Sequence, residues 1–301
     1  MSSLVTSDQR TVGQFSVGPI SYGLWRFTND DLATAQAIIE AALDAGMNLI
    51  DTSDVYGFDW GGTGFGTVEA LLGRVLAAAP ALRDRMVLAT KGGIIPPKPY
   101  DSGAEYLRSA CEASLSRLNA DVIDLYQVHR PDMFTHPAEV AGTLSALRDE
   151  GKIREVGVSN YTPDQYEALA AHMAFPIAST QPEYSVMHLA PLRDGTLDRC
   201  MRDGVTALAW SPLAGGRLFA DGQEGPGPTL VAALDELAER ESVDRAAIAI
   251  AFVLAHPSRA VAIIGTQNLD RIAASNAALS VNLDRQDVYA LVQASEGVPL
   301  P

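Results

Sequence analysis

The segment Ile123–Asn160 reads IDLYQVHRPDMFTHPAEVAGTLSALRDEGKIREVGVSN and contains the pattern from which a fold class follows. Its opening run, IDLYQVH, is short and mostly apolar, which is typical of a buried strand. Pro137–Glu150 then places apolar residues at helical spacing, and its proline stands where a first helical turn tolerates one. Glu155–Ser159 is a second short apolar run. The segment therefore predicts a strand, a helix and a further strand in succession.

The same alternation extends along most of the chain. We predict eight strands separated by amphipathic helices, which is the α/β pattern of a (β/α)8 or TIM barrel. An open doubly wound sheet is the alternative, but it favours an early GxGxxG turn, and the chain has none. The glycine-rich run GGTGFG at 61–66 does not directly follow a strand, so we interpret it as a flexible loop. The predicted strands are Ile20–Trp25, Met47–Asp51, Met86–Lys91, Ile123–His129, Glu155–Ser159, Ile177–Gln181, Val205–Trp210 and Ala260–Ile264. The other predicted helices are Leu32–Ala45, Glu105–Leu118, Pro163–Ala171, Leu230–Glu241 and the buried Ala246–Ala255.

Three further features complete the expected architecture. Alternating residues around Gly13 predict a short N-terminal β-hairpin that closes the bottom of the barrel. Ser211–Pro228 is rich in glycine and proline and long for a barrel loop, which indicates a lid or a disordered insertion. No repeat or linker divides the sequence, so we predict one domain over residues 1–301.

The bulk composition argues against several classes of function. A formal net charge of −15 disfavours nucleic acid and anionic membranes as partners, because neutralising phosphates needs a basic face. No apolar run approaches the ~20 residues that cross a bilayer, and the N-terminus lacks the plan of a signal peptide. Cys111 and Cys200 belong to no CxxC or Cys/His cluster, so we expect no metal site and no disulfide. A cytoplasmic protein fits these features best.

Four polar residues stand where barrel enzymes carry their reactive groups, at the carboxyl ends of strands and in the loops that follow. Asp51, Lys91 and His129 each end a predicted strand. Tyr56 follows Asp51 in the next loop. A buried strand has little reason to end in an unpaired charge, so we expect these groups to share one polar centre.

These four side chains fit carbonyl reduction, which needs a hydride at carbon and a proton at oxygen. A free tyrosine has a pKa of about 10, and we expect the ammonium of Lys91 to lower the pKa of Tyr56. Asp51 would hold Lys91 by an ion pair, and His129 would orient the carbonyl. The hydride itself belongs to a nicotinamide cofactor. An alternative uses Lys91 as a Schiff-base nucleophile, with Asp51 and Tyr56 transferring protons.

Seven motifs follow one another along the chain: AGMNLIDTSDVYG (45–57), ATKGG (89–93), DLYQVHRPD (124–132), GKIREVGVSNYTP (151–163), STQPEYS (179–185), AWSPLAGGRL (209–218) and IIGTQNLDRI (263–272). In these motifs the sequence resembles the aldo-keto reductase superfamily, from about Gly18 to the helix after Asp284. The resemblance implies a (β/α)8 barrel with NADP(H) extended across its C-terminal face. It also implies an oxidoreductase that reduces an aldehyde or ketone to the alcohol. The residues that match the family's catalytic tetrad are Asp51, Lys91, His129 and Tyr56, with Tyr56 as general acid.

The resemblance also assigns cofactor-binding residues. Trp210 falls where the family stacks an aromatic ring on the nicotinamide, and Arg271 where an arginine meets the 2′-phosphate. Ser159, Asn160 and Gln181 match residues that bind the carboxamide. The residues matching the pyrophosphate loop are Ser211, Pro212, Leu213, Gly215, Gly216 and Arg217. Those matching the adenosine end are Ile264, Gly265, Thr266, Gln267 and Arg271.

The chain departs from the family pattern at several positions. Gly265 stands where many members carry a lysine, and Ala274 and Ser275 stand where others place a Glu-Asn pair. One cationic anchor for the 2′-phosphate is therefore absent. Ser53 and Asp54 replace small residues, and we expect Asp54 to add negative charge near the mouth and to disfavour acidic substrates.

The substrate is expected to be a small-molecule carbonyl or alcohol bound by loops at the barrel mouth. The residues expected to line its pocket are Trp25, Tyr56, His129, Phe58 and Trp60. The alternative function on this scaffold is a cofactor-binding regulatory subunit without significant turnover, like those that accompany potassium channels.

Overall fold

The computed structural model describes residues 3–58 and 61–300. Its first strands, β1 (Arg10–Val12) and β2 (Phe15–Val17), pair in an antiparallel hairpin. The hairpin turns at Gly13, where φ is 55° and an added Cβ would lie 2.3 Å from the side chain of Glu155. Glycine is therefore required there both by the backbone conformation and by the close approach of Glu155.

Two valines of the hairpin plug the lower end of the barrel. Val12 and Val17 are fully buried and pack with Leu49, Val87 and Leu125, which lie near the N-terminal ends of barrel strands. This packing removes the valines from water and fills the space that the barrel leaves below its strands. The predicted N-terminal hairpin at the barrel bottom is confirmed.

Eight parallel strands form a closed barrel in which each strand pairs with its neighbours in chain order and the last pairs with the first. The predicted (β/α)8 barrel is confirmed. The strands are β3 (Ile20–Gly23), β4 (Leu49–Asp51), β5 (Val87–Gly92), β6 (Ile123–Val128), β7 (Ile153–Ser159), β8 (Ser179–Gln181), β9 (Thr206–Trp210) and β10 (Val261–Ile264).

Helices cover the outside of the barrel, and several begin or end at the residues that the sequence indicated. Gly46, with φ of 81°, follows the end of the first helix, and Pro137 and Pro163 begin later ones. Thr162 and Gln165 form a capping box before one of them. The helices are α1 (Leu32–Asp44), α2 (Thr67–Ala78), α3 (Ala104–Leu118), α4 (Pro137–Asp149), α5 (Pro163–Ala170), α6 (Thr196–Asp203), α7 (Pro228–Glu241), α8 (Arg245–Leu254), α9 (Leu269–Ala274) and α10 (Arg285–Glu296).

Helix α2 was not predicted, and it contains a glycine, Gly73, in its middle. Gly73 lowers helix propensity in the middle of the segment. It also lets α2 approach α3, because an added Cβ at Gly73 would lie 2.0 Å from the carbonyl oxygen of Arg117. Gly73 therefore lowers the local helix propensity but permits the close contact with α3 that stabilises this helix.

The glycine-rich segment Ser211–Pro228 and helix α8 were both singled out from the sequence. Ser211–Pro228, expected to be a lid or a disordered insertion, contains 3-10 turns at Ala214–Phe219 and Gly222–Glu224. Helix α8 is buried from Ala247 to Leu254, as expected for a helix packed between the barrel and its neighbours. In the part of the chain that the structure describes, helices are too short or too polar to cross a bilayer.

Candidate active site

A buried lysine joins three groups at the carboxyl ends of β4 and β5. Nζ of Lys91 lies 2.6 Å from Oδ2 of Asp51 and donates to the carbonyl oxygen of Thr52 at 2.8 Å. The same Nζ lies 3.2 Å from the hydroxyl oxygen of Tyr56. Lys91 and Asp51 are buried, whereas Tyr56 is half-buried and lines a cavity. The structure therefore places Asp51, Lys91 and Tyr56 in one chain of contacts that ends at the cavity.

Burial and the neighbouring opposite charge act in opposite directions on the pKa of Lys91, and they do so on the pKa of Tyr56 as well. Burial disfavours the ammonium of Lys91, but the carboxylate of Asp51 outweighs this cost and the pKa of Lys91 is raised. Burial raises the pKa of Tyr56 above 10.0, although the ammonium of Lys91 acts to lower it. The expected net lowering of this pKa is therefore wrong. Tyr56 holds its proton firmly at neutral pH, and Lys91 reduces the cost of the phenolate left after that proton is given up.

The environment of Lys91 does not suit a Schiff-base nucleophile. Such a nucleophile needs a free amine lone pair. Lys91 is instead fully buried, with a raised pKa and its ammonium hydrogens directed to Asp51, Thr52 and Tyr56. The geometry favours a proton-transfer role over covalent catalysis.

His129 stands beside Tyr56 at the floor of the cavity. The two ring centroids lie 5.8 Å apart with an angle of 79° between the ring planes. Burial, together with the cations of Lys91 and Arg130, holds the pKa of His129 well below 6.5. The imidazole is therefore neutral at physiological pH. Its Nδ1 lies 2.9 Å from Oγ of Ser53, a contact that sequence reasoning missed.

Asp54 occupies a different position from the one expected. It lies in the loop after β4 but is fully buried, facing Glu69 of α2 and Tyr106 of α3, and it does not line the cavity. Burial and the nearby carboxylate of Glu69 raise the pKa of Asp54 to about 8, against the opposing charge of Arg117. The expectation that Asp54 repels acidic substrates is wrong, because its carboxyl group is buried and neutral near pH 7.

Asp51 is held by two amide side chains as well as by Lys91. Its Oδ1 accepts hydrogen bonds from Nε2 of Gln127 and Nε2 of Gln181, each at 3.1 Å. Gln181, matched earlier to a carboxamide ligand, therefore supports the carboxylate in this structure. Within residues 3–58 and 61–300, no cluster of three His, Cys, Asp or Glu side chains could hold a metal ion.

A cavity of about 1320 Å³ opens above these groups at the carboxyl ends of the strands. Every residue matched earlier to cofactor binding lines this cavity except Arg217. Arg217 turns away, since its Nε donates to the carbonyl oxygen of Ala214 and its guanidinium lies 3.6 Å from Glu183. The volume is large enough for an extended dinucleotide and a small substrate together.

The predicted substrate residues divide into two groups. Trp25, Tyr56 and His129 line the cavity. Phe58 is 51% exposed and does not line it. Trp60 lies outside the described residues.

The profile of the aldo/keto reductase family matches residues 19–296 of the chain. The chain belongs to this family. As a member, it is an oxidoreductase that uses a nicotinamide cofactor and acts on a small carbonyl substrate.

Individual relatives agree with the family assignment. A 6-dehydroglucose reductase of Novosphingobium aromaticivorans is 50% identical over 288 residues, which cover 95% of this chain and 94% of that protein. A 6-dehydroglucose reductase of Agrobacterium fabrum is 37% identical, covering 92% of this chain and 94% of that protein. The structure of a glycerol dehydrogenase from Gluconobacter oxydans superposes with a TM-score of 0.83 at 28% identity and covers 98% of this chain and 97% of that one.

The wall of the cavity in this aldo/keto reductase includes an indole side chain and two glycines with left-handed backbone. Nε1 of Trp210 donates to Oδ1 of Asn160 at 3.0 Å, which holds the indole at the cavity. Beyond it, the backbone of Ser211 has φ of 52°, and Gly215 and Gly216 have φ of 68° and 96°. Residues that carry a side chain rarely adopt such backbone angles. The absence of Cβ atoms at both glycines leaves the backbone open to a ligand. These residues fit the nicotinamide and pyrophosphate of the family's cofactor.

The cationic side chain of Arg271 also lies on the wall of the cavity in the aldo/keto reductase. Arg271 is exposed, lines the cavity and makes no side-chain ion pair with the residues that the structure describes. Gly265 also lines the cavity, and a Cβ added there would lie only 3.3 Å from the carbonyl oxygen of Gly23. A free guanidinium of this kind suits a phosphate group.

Two other arginines that line the cavity, Arg130 and Arg26, were not predicted. Arg130 directly follows His129 and lines the cavity. Its charge contributes to the lowered pKa of His129 and opposes the rise in the pKa of Tyr56. Arg26 donates to the carbonyl oxygen of Gly215 at 2.7 Å and lies over the ring of Trp25. The motif DLYQVHRPD contained Arg130, but nothing in its spacing indicated which way the side chain would turn.

Proposed function

We propose that this enzyme uses NADPH to reduce the aldehyde group of a small polyhydroxylated substrate, such as the hexose aldehyde 6-dehydroglucose. The observation that carries the proposal is the contact of 3.2 Å between Nζ of Lys91 and the hydroxyl of Tyr56 at the cavity floor. A phenol beside a buried ammonium can give a proton to a carbonyl oxygen that gains negative charge. The nicotinamide, when bound, supplies the hydride.

Each group of the site has a defined part in proton transfer. Tyr56 donates its proton to the carbonyl oxygen, and Lys91 stabilises the phenolate that remains. Asp51 keeps Lys91 protonated and in place through the contact of 2.6 Å. His129, being neutral, orients the carbonyl oxygen by a hydrogen bond without competing for the proton.

The sugar class of substrate is supported by the relatives and by the charge at the cavity. Both curated relatives named above are 6-dehydroglucose reductases, one of them 50% identical to this chain. Arg130 and Arg26 bring donor groups to the cavity wall. Guanidinium groups carry five N–H donors, which suits hydroxyl oxygens better than an apolar chain.

The substrate assignment is tested by following NADPH consumption by the purified enzyme with 6-dehydroglucose and with hexanal. We expect kcat/KM to be at least about tenfold higher for the sugar, the discrimination that one good polar contact provides. Arg130→Met should narrow this preference. Equal rates with both aldehydes would remove the sugar proposal, and no consumption with any carbonyl would favour a cofactor-binding role without turnover.

The choice of NADPH over NADH depends on Arg271. We expect Arg271→Ala to weaken NADPH binding by about 10- to 100-fold, the cost of a lost charge-assisted hydrogen bond, and to leave NADH almost unchanged. The measurement is a titration of each cofactor into the enzyme. Arg271→Lys should retain part of the affinity, and Arg285→Ala, an exposed arginine away from the cavity, is the control. Equal losses for both cofactors would contradict the role of Arg271.

We also propose a reducing, cytoplasmic location for the enzyme. Cys111 and Cys200 are both buried and unpaired. Burial raises the pKa of each thiol to about 12, so neither is poised for oxidation.

A further inference from the structure

Ser53, which has no part in the proposed proton transfer, contacts the ring of the active-site histidine, His129. Oγ of Ser53 lies 2.9 Å from Nδ1 of His129, and both side chains are buried. Because Ser53 occupies Nδ1, the other ring nitrogen, Nε2, is the one left for a ligand in the cavity that His129 lines.

The direction of this single hydrogen bond decides what His129 can do. A neutral imidazole carries one N–H, on either nitrogen. If Ser53 donates to Nδ1, the ring proton is on Nε2 and can bind a carbonyl oxygen. If Ser53 accepts from Nδ1, then Nε2 presents a lone pair, which repels the carbonyl oxygen instead. The hydroxyl proton of Ser53 therefore controls whether His129 can orient a substrate.

Three acceptors surround the hydroxyl group of Ser53. Besides Nδ1 of His129 at 2.9 Å, Oδ1 of Asp54 lies at 3.2 Å and the carbonyl oxygen of Lys91 at 3.4 Å. The nitrogen contact is the shortest. An ionised Asp54 would compete strongly for the proton, since hydrogen bonds to charged acceptors are roughly twice as strong. A protonated Asp54 is a neutral and weaker acceptor, so it competes much less.

The groups around Asp54 keep it protonated at neutral pH. Glu69 faces it from α2, while Arg117 and Tyr106 face it from α3. The charge of Arg117 is largely committed to Glu69, with the two groups 2.7 Å apart. Burial and the carboxylate of Glu69 raise the pKa of Asp54 to about 8. Tyr126 on β6 also lies within its electrostatic reach and stays neutral.

We propose that Ser53 is a positioning residue that donates its proton to Nδ1 of His129 and holds the imidazole as the tautomer with its proton on Nε2, while a protonated Asp54 leaves that proton free. This inference rests on the proposed role of His129 in orienting the substrate carbonyl. It adds two residues, 53 and 54, that the resemblance assigned no role.

The direct test is the ring protonation of His129, read from nitrogen-15 NMR of the intact enzyme saturated with NADP+. We expect a neutral ring with its proton on Nε2 in the wild type at pH 7. The chain has five histidines, so the signals are assigned with a His129→Gln variant. A proton on Nδ1 would overturn the proposal. This readout stands even if the enzyme reduced none of the aldehydes tried, so the tautomer and the proposed function fail separately.

Kinetics supply the second test. Ser53→Ala should lower kcat/KM for aldehyde reduction by about 5- to 50-fold, the cost of one lost buried hydrogen bond, with NADPH affinity unchanged. Ser53→Thr, which keeps the hydroxyl, should recover part of the rate. Ser21→Ala is the matched control, because Ser21 is equally buried on β3 and does not line the cavity. A Ser53→Ala rate within about twofold of wild type would contradict the proposal.

The pH profile separates positioning from a merely structural role. As pH rises through about 8, Asp54 loses its proton and claims that of Ser53, so wild-type kcat/KM should fall. Asp54→Asn cannot ionise and should lack this fall. Tyr56, whose pKa is raised above 10.0, does not titrate in this range. The same fall near pH 8 in Asp54→Asn would assign it to another group and defeat the role given to Asp54.

Discussion

Replacing Tyr56 by phenylalanine is expected to lower the turnover number for aldehyde reduction by about 100- to 10,000-fold, the range that a general acid contributes. The hydroxyl at 3.2 Å from Nζ of Lys91 is the group that reaches both the ammonium and the cavity. Phenylalanine keeps the ring and its packing but has no proton to give. Affinity for NADPH should stay nearly unchanged, since that hydroxyl is not needed to hold the cofactor.

The measurement is single-turnover reduction at saturating NADPH, combined with a titration of the cofactor. Tyr289→Phe is the control, because Tyr289 is an exposed tyrosine on α10, far along the chain from the site. A loss of cofactor affinity as large as the loss of turnover would show that Tyr56 serves binding and not proton transfer.

Replacing Lys91 by methionine is expected to have the second large effect, on both stability and rate. The side chains of Lys91 and Asp51 are 0% and 4% exposed, so removal of the ammonium leaves a buried carboxylate without its counter-charge. Breaking a buried ion pair in this way costs about 3–5 kcal/mol of folding free energy. Gln127 and Gln181 still donate to Asp51 and should keep the cost near the lower end of that range.

A double variant separates the two effects of Lys91. Adding Asp51→Asn to Lys91→Met removes the unpaired charge and should restore much of the stability, measured as the free energy of unfolding in urea. Turnover should stay low in the double variant, because Tyr56 still lacks the ammonium that stabilises its phenolate. Recovery of turnover together with stability would mean that Lys91 acts only as a structural residue.

The order of strands and helices could be predicted because it depends on local patterns. Short apolar runs, helical spacing and proline or glycine at helix ends are properties of neighbouring residues. The shared centre of Asp51, Lys91 and His129 also followed from local information, since each ends a strand. In a parallel barrel all strands end on the same face, so residues far apart in the chain meet there. The resemblance then added the cofactor-binding residues, all of which line the cavity except Arg217.

The protonation states and several side-chain partners could not be predicted in this way. Asp54 was expected near the cavity mouth, but it is buried beside Glu69. Burial together with the carboxylate of Glu69 raises the pKa of Asp54 to about 8. Tyr56 was expected to have a lowered pKa from the charge of Lys91 alone, whereas burial outweighs that charge. The contact between Ser53 and His129 joins residues 76 positions apart. The local sequence pattern determines the strand, helix or loop in which a residue lies. The pKa and the hydrogen-bond partners of its side chain depend instead on burial and on charges, which segments distant in the sequence provide.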